Sequence, residues 1–568
     1  MGVVATSIPL QAAPYASGIV KSGTTVNFIL NEPADALTYT INGGAAITLD
    51  GTTKGLKMFT LGAATDSFSI VAEKNAATGY TMATGATIAL QVHGLSQDTA
   101  EGGFNLLSDD ANLLTRFNSP RGVAVSSDPN APNFGIAYIG NSAAGTNVVS
   151  GRTLGDGLYA LNADQSDAFG YGDAAKNPVL PDATSAFIAS ASSPWKLFVA
   201  GNGDLYATDW SDARGQLFNV TPDLLTATNV FPGFGGAAPL PTGQNHGSVT
   251  AAYVEGSTAQ GNLTVWTIDE DLTTNHVAGS GPTADQNSLW RYEIGATALP
   301  AAVTPTRVAD VLIPTPNADV DRGADGKFYI AQNRPVGSEV GLVVVDDSGT
   351  TLFNSLTESR TLLADPAALD ILRNIQGMDV TDDQKWVVLT LNNSDVAVIP
   401  LVNGLPNLAG RMVINTGSDI TSGRDVAVDA AGNIHYVSSG QGAHRMLSPG
   451  GHTLATTSFD GADFDFTIST VALPGDDNAD FDADGDVDGQ DYLTWQRGLG
   501  AAGELEDGDA DGDGFVDGDD LAIWRNQFEP GAVIPAALAV PEPGALGLTL
   551  LTSGALAASR MSFVGSAS

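Results

Sequence analysis

The sequence predicts a mainly β protein: a β-propeller of six or seven blades, preceded by a smaller β-sandwich and followed by a short acidic helical unit. Three observations lead there. Period-2 apolar runs broken by Gly, Asn and Asp recur from Asn118 to Gly451 in units of about fifty residues or more. The chain has 66 Gly and 28 Pro in 568 residues but only 15% charged residues, a balance that favours turns and strands over helices. Acidity is also localised, with 18 Asp+Glu against 2 Lys+Arg between residues 476 and 529.

Composition narrows the function. A formal charge of −40 repels phosphate backbones and leaves no basic patch to release counterions, which excludes a nucleic-acid partner. The absence of cysteine excludes disulfides, zinc–thiolate sites and thiol nucleophiles. Residues 1–17 are expected to be unstructured. No basic residue precedes Lys21, so an ordinary secretory leader is not evident, and either an unusual export route or a truncated start is expected.

Residues 18–100 read as an immunoglobulin-like β-sandwich, with strands at Thr25–Leu30, Leu37–Ile41, Phe68–Ala72 and Ile88–Val92 and a turn at Asn42-Gly43-Gly44. Residues 101–470 hold six units. Their openings lie at Arg121, Lys196, Val249, Asp319, Gln376 and Arg424. A propeller closes such repeats while leaving only short strand edges; a large β-sandwich is the alternative. The stretch from Arg424 to Val437, RDVAVDAAGNIHYV, resembles NHL and related six-bladed propeller repeats.

In residues 476–530 two loops follow each other at a 29-residue offset. The first carries Asp480, Asp482, Asp484, Asp486, Asp488 and Asp491, and the second Asp509, Asp511, Asp513, Phe515, Asp517 and Asp520. A hard cation of Ca²⁺ size gathers six to eight oxygens, and loop positions 1, 3, 5, 7, 9 and 12 supply them in an EF-hand. Position 7, here Asp486 or Phe515, gives a backbone carbonyl. Gly485 and Gly514 allow the sharp turn. The apolar spacing after each loop, Tyr492, Leu493, Trp495 and then Leu521, Ile523, Trp524, predicts a short helix. Clustered carboxylates repel without metal, so folding and ion binding should be coupled. Two Ca²⁺ sites are therefore expected.

This region resembles a type I dockerin, a small α-helical, EF-hand-like module that plugs into a cohesin on a scaffold. The family's partner-reading positions 10 and 11, often Ser-Thr, are here Gly489-Gln490 and Gly518-Asp519. A calcium-stiffened spacer is the plainer role. Residues 531–568 form a linker and tail in which Val540, Pro541, Glu542 and Pro543 precede an apolar stretch and Arg560. They resemble a PEP-CTERM sorting signal. That resemblance implies processing by an exosortase-like peptidase, transient membrane contact through the tail, and an extracellular or cell-surface location.

No catalytic motif is present: H-E-x-x-H, G-x-S-x-G and the phosphate-binding loop are all missing. Catalytic residues are unassigned. Asn245-His246, Asp269-Glu270-Asp271, Asp319, Asp321, Arg322, Asp379, Arg424 and Asp425 could meet on one propeller face. Arg322 and Arg424, taken as equivalent unit positions, are candidates to clasp an acidic sugar or carboxylate; capping strands and bridging blades is the plainer role. Two functions follow. The first is a non-catalytic exported binding protein at the cell surface or in the matrix, whose partner is a cohesin-like scaffold or an extracellular polysaccharide. The alternative is a polysaccharide-degrading hydrolase or lyase bearing a dockerin.

Overall fold

The computed structural model describes residues 13–75, 89–92, 95–97, 104–106, 112–188, 193–210, 216–231, 249–269, 288–309, 317–333, 340–391, 395–415, 422–449, 452–472, 479–482, 487, 489–501, 505–508, 510, 516 and 518–528. The chain divides into two compact units, residues 1–475 and 476–568.

Among the described residues, six antiparallel sheets follow one another around a ring in the first unit. Their innermost strands are Pro120–Val125, Leu197–Val199, Val249–Glu255, Asn317–Arg322, Ile375–Val380 and Gly423–Val428. Each contacts the next, and the sixth contacts the first, so the ring closes as a propeller. Period-2 alternation explains the face-to-face packing. In the fourth sheet Phe328, Ile330 and Val343 pack with Trp266 and Ile268 of the third, while Tyr329 and Val344 pack with Met378 and Leu389 of the fifth. Both faces of a sheet are buried in this way, so its strands read as nearly continuous apolar runs.

Strand borrowing completes the last two sheets. Phe104–Leu106 pairs with Ala443–Pro449 on the sixth sheet, and Ala89–Val92 pairs with Met412–Asn415 on the fifth. The strand expected in the sandwich near residues 88–92 thus belongs to the propeller. Conversely, the hairpin His452–Asp460 and Asp465–Ala472 joins Phe68–Lys74 in a five-stranded sheet.

That sheet faces a three-stranded one, Ala16–Ser22, Thr25–Leu30 and Gly55–Thr60, over a core of Val26, Phe28, Phe59, Phe68, Ile70 and Phe459. The expected boundaries, 18–100 and 101–470, therefore do not follow the sheets. Alternation marks a strand but not its partner. The sandwich docks on the propeller through Tyr15, Phe134, Ala163 and Ala431, with Phe466 against them.

In the second unit the acidic stretch forms two helices, Gly489–Gly498 and Gly518–Gln527. They share a small core of Ala479, Phe481, Trp495, Ala510, Val516 and Ile523. Tyr492 packs on Trp495 and Trp524, with ring centroids 5.5 and 5.0 Å apart. Among the described residues no helix is long and apolar enough to cross a membrane.

Candidate functional site

Every innermost strand carries a β-bulge near its start. In five sheets the pairing register slips across one residue, namely Arg121, Thr250, Ala318, Gln376 or Arg424. In the second sheet Trp195 and Lys196 both bond Thr208: the Trp195 N–H donates to its carbonyl at 2.9 Å, and its N–H donates to the Lys196 carbonyl at 2.8 Å. A bulge re-aims the neighbouring side chains. The positions just after the six bulges are Gly122, Lys196, Ala251, Asp319, Gly377 and Asp425, a ring of small or charged residues.

Lys196 spans that ring. Its Nζ donates to Asp319 Oδ2 at 3.0 Å, to the Gln376 carbonyl at 2.6 Å and to the Arg424 carbonyl at 3.0 Å, and it also donates to Asp425 Oδ1. Burial pulls the Lys196 ammonium down, but Asp319 and Asp425 outweigh it and hold the pKa above the usual lysine range. Gly377 permits the close approach, since a Cβ there would lie 2.4 Å from Asp425 Cα.

The axial carboxylates also stitch the fourth sheet to the fifth, the fifth to the sixth and the sixth to the first. Asp319 and Asp321 accept from the N–H groups of Met378 (3.0 Å) and Val380 (2.7 Å) on the fifth sheet. Asp379 accepts from Val428 on the sixth, and Asp425 accepts from Val123 on the first at 2.9 Å. Asp379 and Asp321 are hydrogen-bonded to each other. Burial pushes Asp321 up to about 7, and burial with the Asp321 charge pushes Asp379 well above the carboxylate range. The pair therefore holds its protons to higher pH than free carboxyls do. A glycosidase needs carboxyls about 5 to 9.5 Å apart; this contact is too short for that chemistry, and backbone donors already claim its oxygens.

A cavity of about 980 Å³ runs along the axis, lined by Lys196, Asp319, Asp321, Asp379 and Asp425 and reaching Ile468 of the sandwich hairpin. Beside it, Tyr15 Oη donates to Asp429 at 3.2 Å, and Asp429 also contacts His435, whose ring meets His444 at 3.2 Å. Burial first, then the charges of His435 and Arg445, hold His444 well below the usual histidine pKa, which suits a neutral packing role.

The two arginines singled out from the sequence do not converge. Arg322 ends its strand, ion-paired with Glu255 (2.5 Å) and Asp347 (3.1 Å) and lying over Trp266 and Phe328. Arg424 is a bulge residue; its equivalent is Arg121, not Arg322. The supposed equivalence fails because the bulge offsets the register. Asn245, His246, Glu270 and Asp271 lie outside the described residues.

In the acidic unit, Asp480, Asp482 and Asp491 converge, each offering an oxygen within 4.8 Å of the others. Asp491 Oδ1 accepts from the Phe481 N–H at 2.7 Å, and Asp520 Oδ1 accepts from the Ala510 N–H at 2.6 Å. Both bonds join loop position 12 to position 2, so the loops close alike, and both carboxylates are buried. Asp484, Asp486, Asp488, Asp509, Asp511, Asp513, Phe515 and Asp517 lie outside the described residues, as do Val540, Pro541, Glu542, Pro543 and Arg560.

No protein-family model matches the chain, and no curated protein matches it. Among solved structures, a protein of unknown function from Bacteroides thetaiotaomicron covers 77% of this chain and 98% of its own, at 9% identity and a TM-score of 0.36. A gluconolactonase from Xanthomonas campestris covers 64% and 94%, at 10% identity and a TM-score of 0.37. The WD40 propeller domain of Doa1 covers 61% and 97%, at 10% identity and a TM-score of 0.33. The propeller assignment rests on the strand pairing and ring closure, not on these similarities.

Lys196 and the Asp321–Asp379 pair were not recognised as a unit from sequence. The signal was available: aligning the six openings puts one lysine where two other units carry aspartate, and opposite charges at equivalent positions of a closed ring can meet across the axis.

Proposed function

We propose that this chain is an exported, non-catalytic binding protein of the cell surface or matrix. A six-bladed propeller with an immunoglobulin-like sandwich is the binding platform, and a dockerin-like calcium module follows it. The observation that carries the reading is the convergence of Asp480, Asp482 and Asp491 on one point, together with the same position-12 closure in both loops. Acidic oxygen donors at this spacing suit a hard divalent cation. Asp480, Asp482, Asp484, the Asp486 carbonyl, Asp488 and Asp491 would hold one Ca²⁺, and Asp509, Asp511, Asp513, the Phe515 carbonyl, Asp517 and Asp520 a second. Bound ions would offset carboxylate repulsion and fix the helices for docking on a cohesin-like scaffold.

The propeller's role as a platform is supported by the use of its axial carboxylates in holding sheets together. The tail at Val540–Pro543 and Arg560 would be read by an exosortase-like peptidase during transient membrane contact. Binding of the purified full chain to a panel of extracellular polysaccharides, with reducing ends counted, tests the reading. Retention without new reducing ends is expected; steady release of reducing ends or unsaturated products would establish the polysaccharide-degrading alternative.

A further inference from the structure

Four of the six bulge residues sit side by side around the start of the propeller axis: Gln376, Arg424, Arg121 and Trp195, on the fifth, sixth, first and second sheets. They form a continuous arc. Arg424 Nη1 donates to Gln376 Oε1 at 3.1 Å, and its Nε donates to Ser439 Oγ at 2.8 Å. The Arg121 guanidinium lies 5.0 Å from the Trp195 ring centroid, and Trp195 in turn packs on Trp210 at 4.7 Å.

What the arc lacks, among the described residues, is a carboxylate and acceptors for three of its buried donors. Arg121 Nε, Trp195 Nε1 and Gln376 Nε2 are buried atoms with no hydrogen-bond partner, and Gln376 is only 7% exposed. The bond from Arg424 fixes the Gln376 amide with its oxygen toward the arginine, which leaves the NH₂ as the unpaired end. Neither arginine has a carboxylate partner among the described residues, in a chain of net charge −40. Burial and the Arg424 charge push Arg121 down to about 10, and burial lowers Arg424 as well. Two uncompensated guanidiniums side by side, with buried donors next to them, are costly unless something supplies acceptors.

We propose that this arc is a binding site for an acidic saccharide: the sugar carboxylate lies between Arg121 and Arg424, and the Gln376 amide and the Trp195 indole N–H donate to neighbouring sugar oxygens. Guanidinium forks match carboxylate geometry, and the unpaired amide and indole N–H groups suit sugar oxygens. Neutral sugars would leave the guanidinium pair uncompensated. The inference deepens the platform reading, on which it rests, by naming the ligand class and its place.

Calorimetric titration of the calcium-free full chain with trigalacturonic acid, and with cellotriose as the neutral comparator, tests it. Trigalacturonic acid should bind while cellotriose does not. Arg121→Gln and Arg424→Gln should each weaken binding at least about 10-fold, as expected for loss of a charge-assisted contact. Arg424→Lys, which keeps the charge, should retain more affinity than Arg424→Gln. Thermal melts of each variant establish that it is folded. Because the titration is run without calcium, its outcome does not depend on the calcium loops, so failure of this site is distinguishable from failure of the calcium module. The proposal is overturned if no binding tighter than about 1 mM is seen, if cellotriose binds as well, if sulfate alone binds as tightly, or if both glutamine variants keep parental affinity.

Discussion

Replacing Lys196 with Met keeps the length of the side chain and removes the ammonium that four acceptors share. Asp319 and Asp425 are then left as buried neighbours without a cation, and two carbonyls lose their donor. Removing one partner of a buried ion pair costs about 3–5 kcal/mol. Residues 1–475 form one compact unit, and at about 2.1 cal/mol/K per residue its unfolding entropy is about 1 kcal/mol/K. The transition of that unit should therefore fall by about 3–5 °C at pH 7.

The pH dependence separates this cause from lost packing. The folded pKa of Lys196 is raised, so its contribution is fully present below the unfolded lysine pKa of about 10.4 and is lost only above it. The parent therefore gains or loses nothing from Lys196 between pH 5 and 9. In Lys196→Met the Asp425 carboxyl, which burial already pushes well above the carboxylate range, loses the cation that lowers it and holds a proton more readily, so the deficit should shrink as pH falls. Adding Asp319→Asn and Asp425→Asn should restore most of the loss at pH 7. Differential scanning calorimetry reads all three proteins. A single variant melting within about 1 °C of the parent at pH 7, or a triple variant no more stable than the single one, would refute the reasoning.

Asp321→Asn tests the Asp321–Asp379 pair. The folded pKa of Asp321 is raised to about 7, so its contribution is fully present below about pH 4 and is lost as pH rises through about 7. The stability of Asp321→Asn relative to the parent should therefore climb between pH 4 and 8, by up to about 4 kcal/mol; melts that differ by a constant amount over that range would contradict it. Gly377→Ala forces a Cβ to within 2.4 Å of Asp425 Cα and should cost about 1–3 kcal/mol by overpacking. Gly201→Ala, with nothing within 4 Å, is the control and should melt close to the parent. Arg322→Gln should lower the melting temperature, because its bonds to Glu255 and Asp347 are lost, yet leave trigalacturonate affinity unchanged; weakened binding would return Arg322 to the ligand site.

The repeat units were legible because strands buried on both faces leave strong apolar runs, and each unit opening identified from sequence lies at or next to an innermost strand. The bulges were not legible, since a bulge is a property of pairing between two strands. Without them Arg322 and Arg424 looked equivalent and the kinship of Arg121 with Arg424 went unseen. The sandwich was legible only in part: its hairpin at His452–Ala472 pairs with Phe68–Lys74 from the other end of the chain, and no local pattern encodes that partner. Asp480, Asp482 and Asp491 could be read from sequence because cation geometry dictates loop spacing directly, while the backbone donors that anchor Asp491 and Asp520 emerge only once the loops are folded.

The calcium stoichiometry of the full chain tests the central claim most directly. Titration calorimetry, with bound metal counted after desalting, should give two Ca²⁺ per chain, one after Asp480→Ala or Asp509→Ala, and none after both substitutions. Absence of bound calcium in the parent, or an unchanged count in the double variant, would contradict the account.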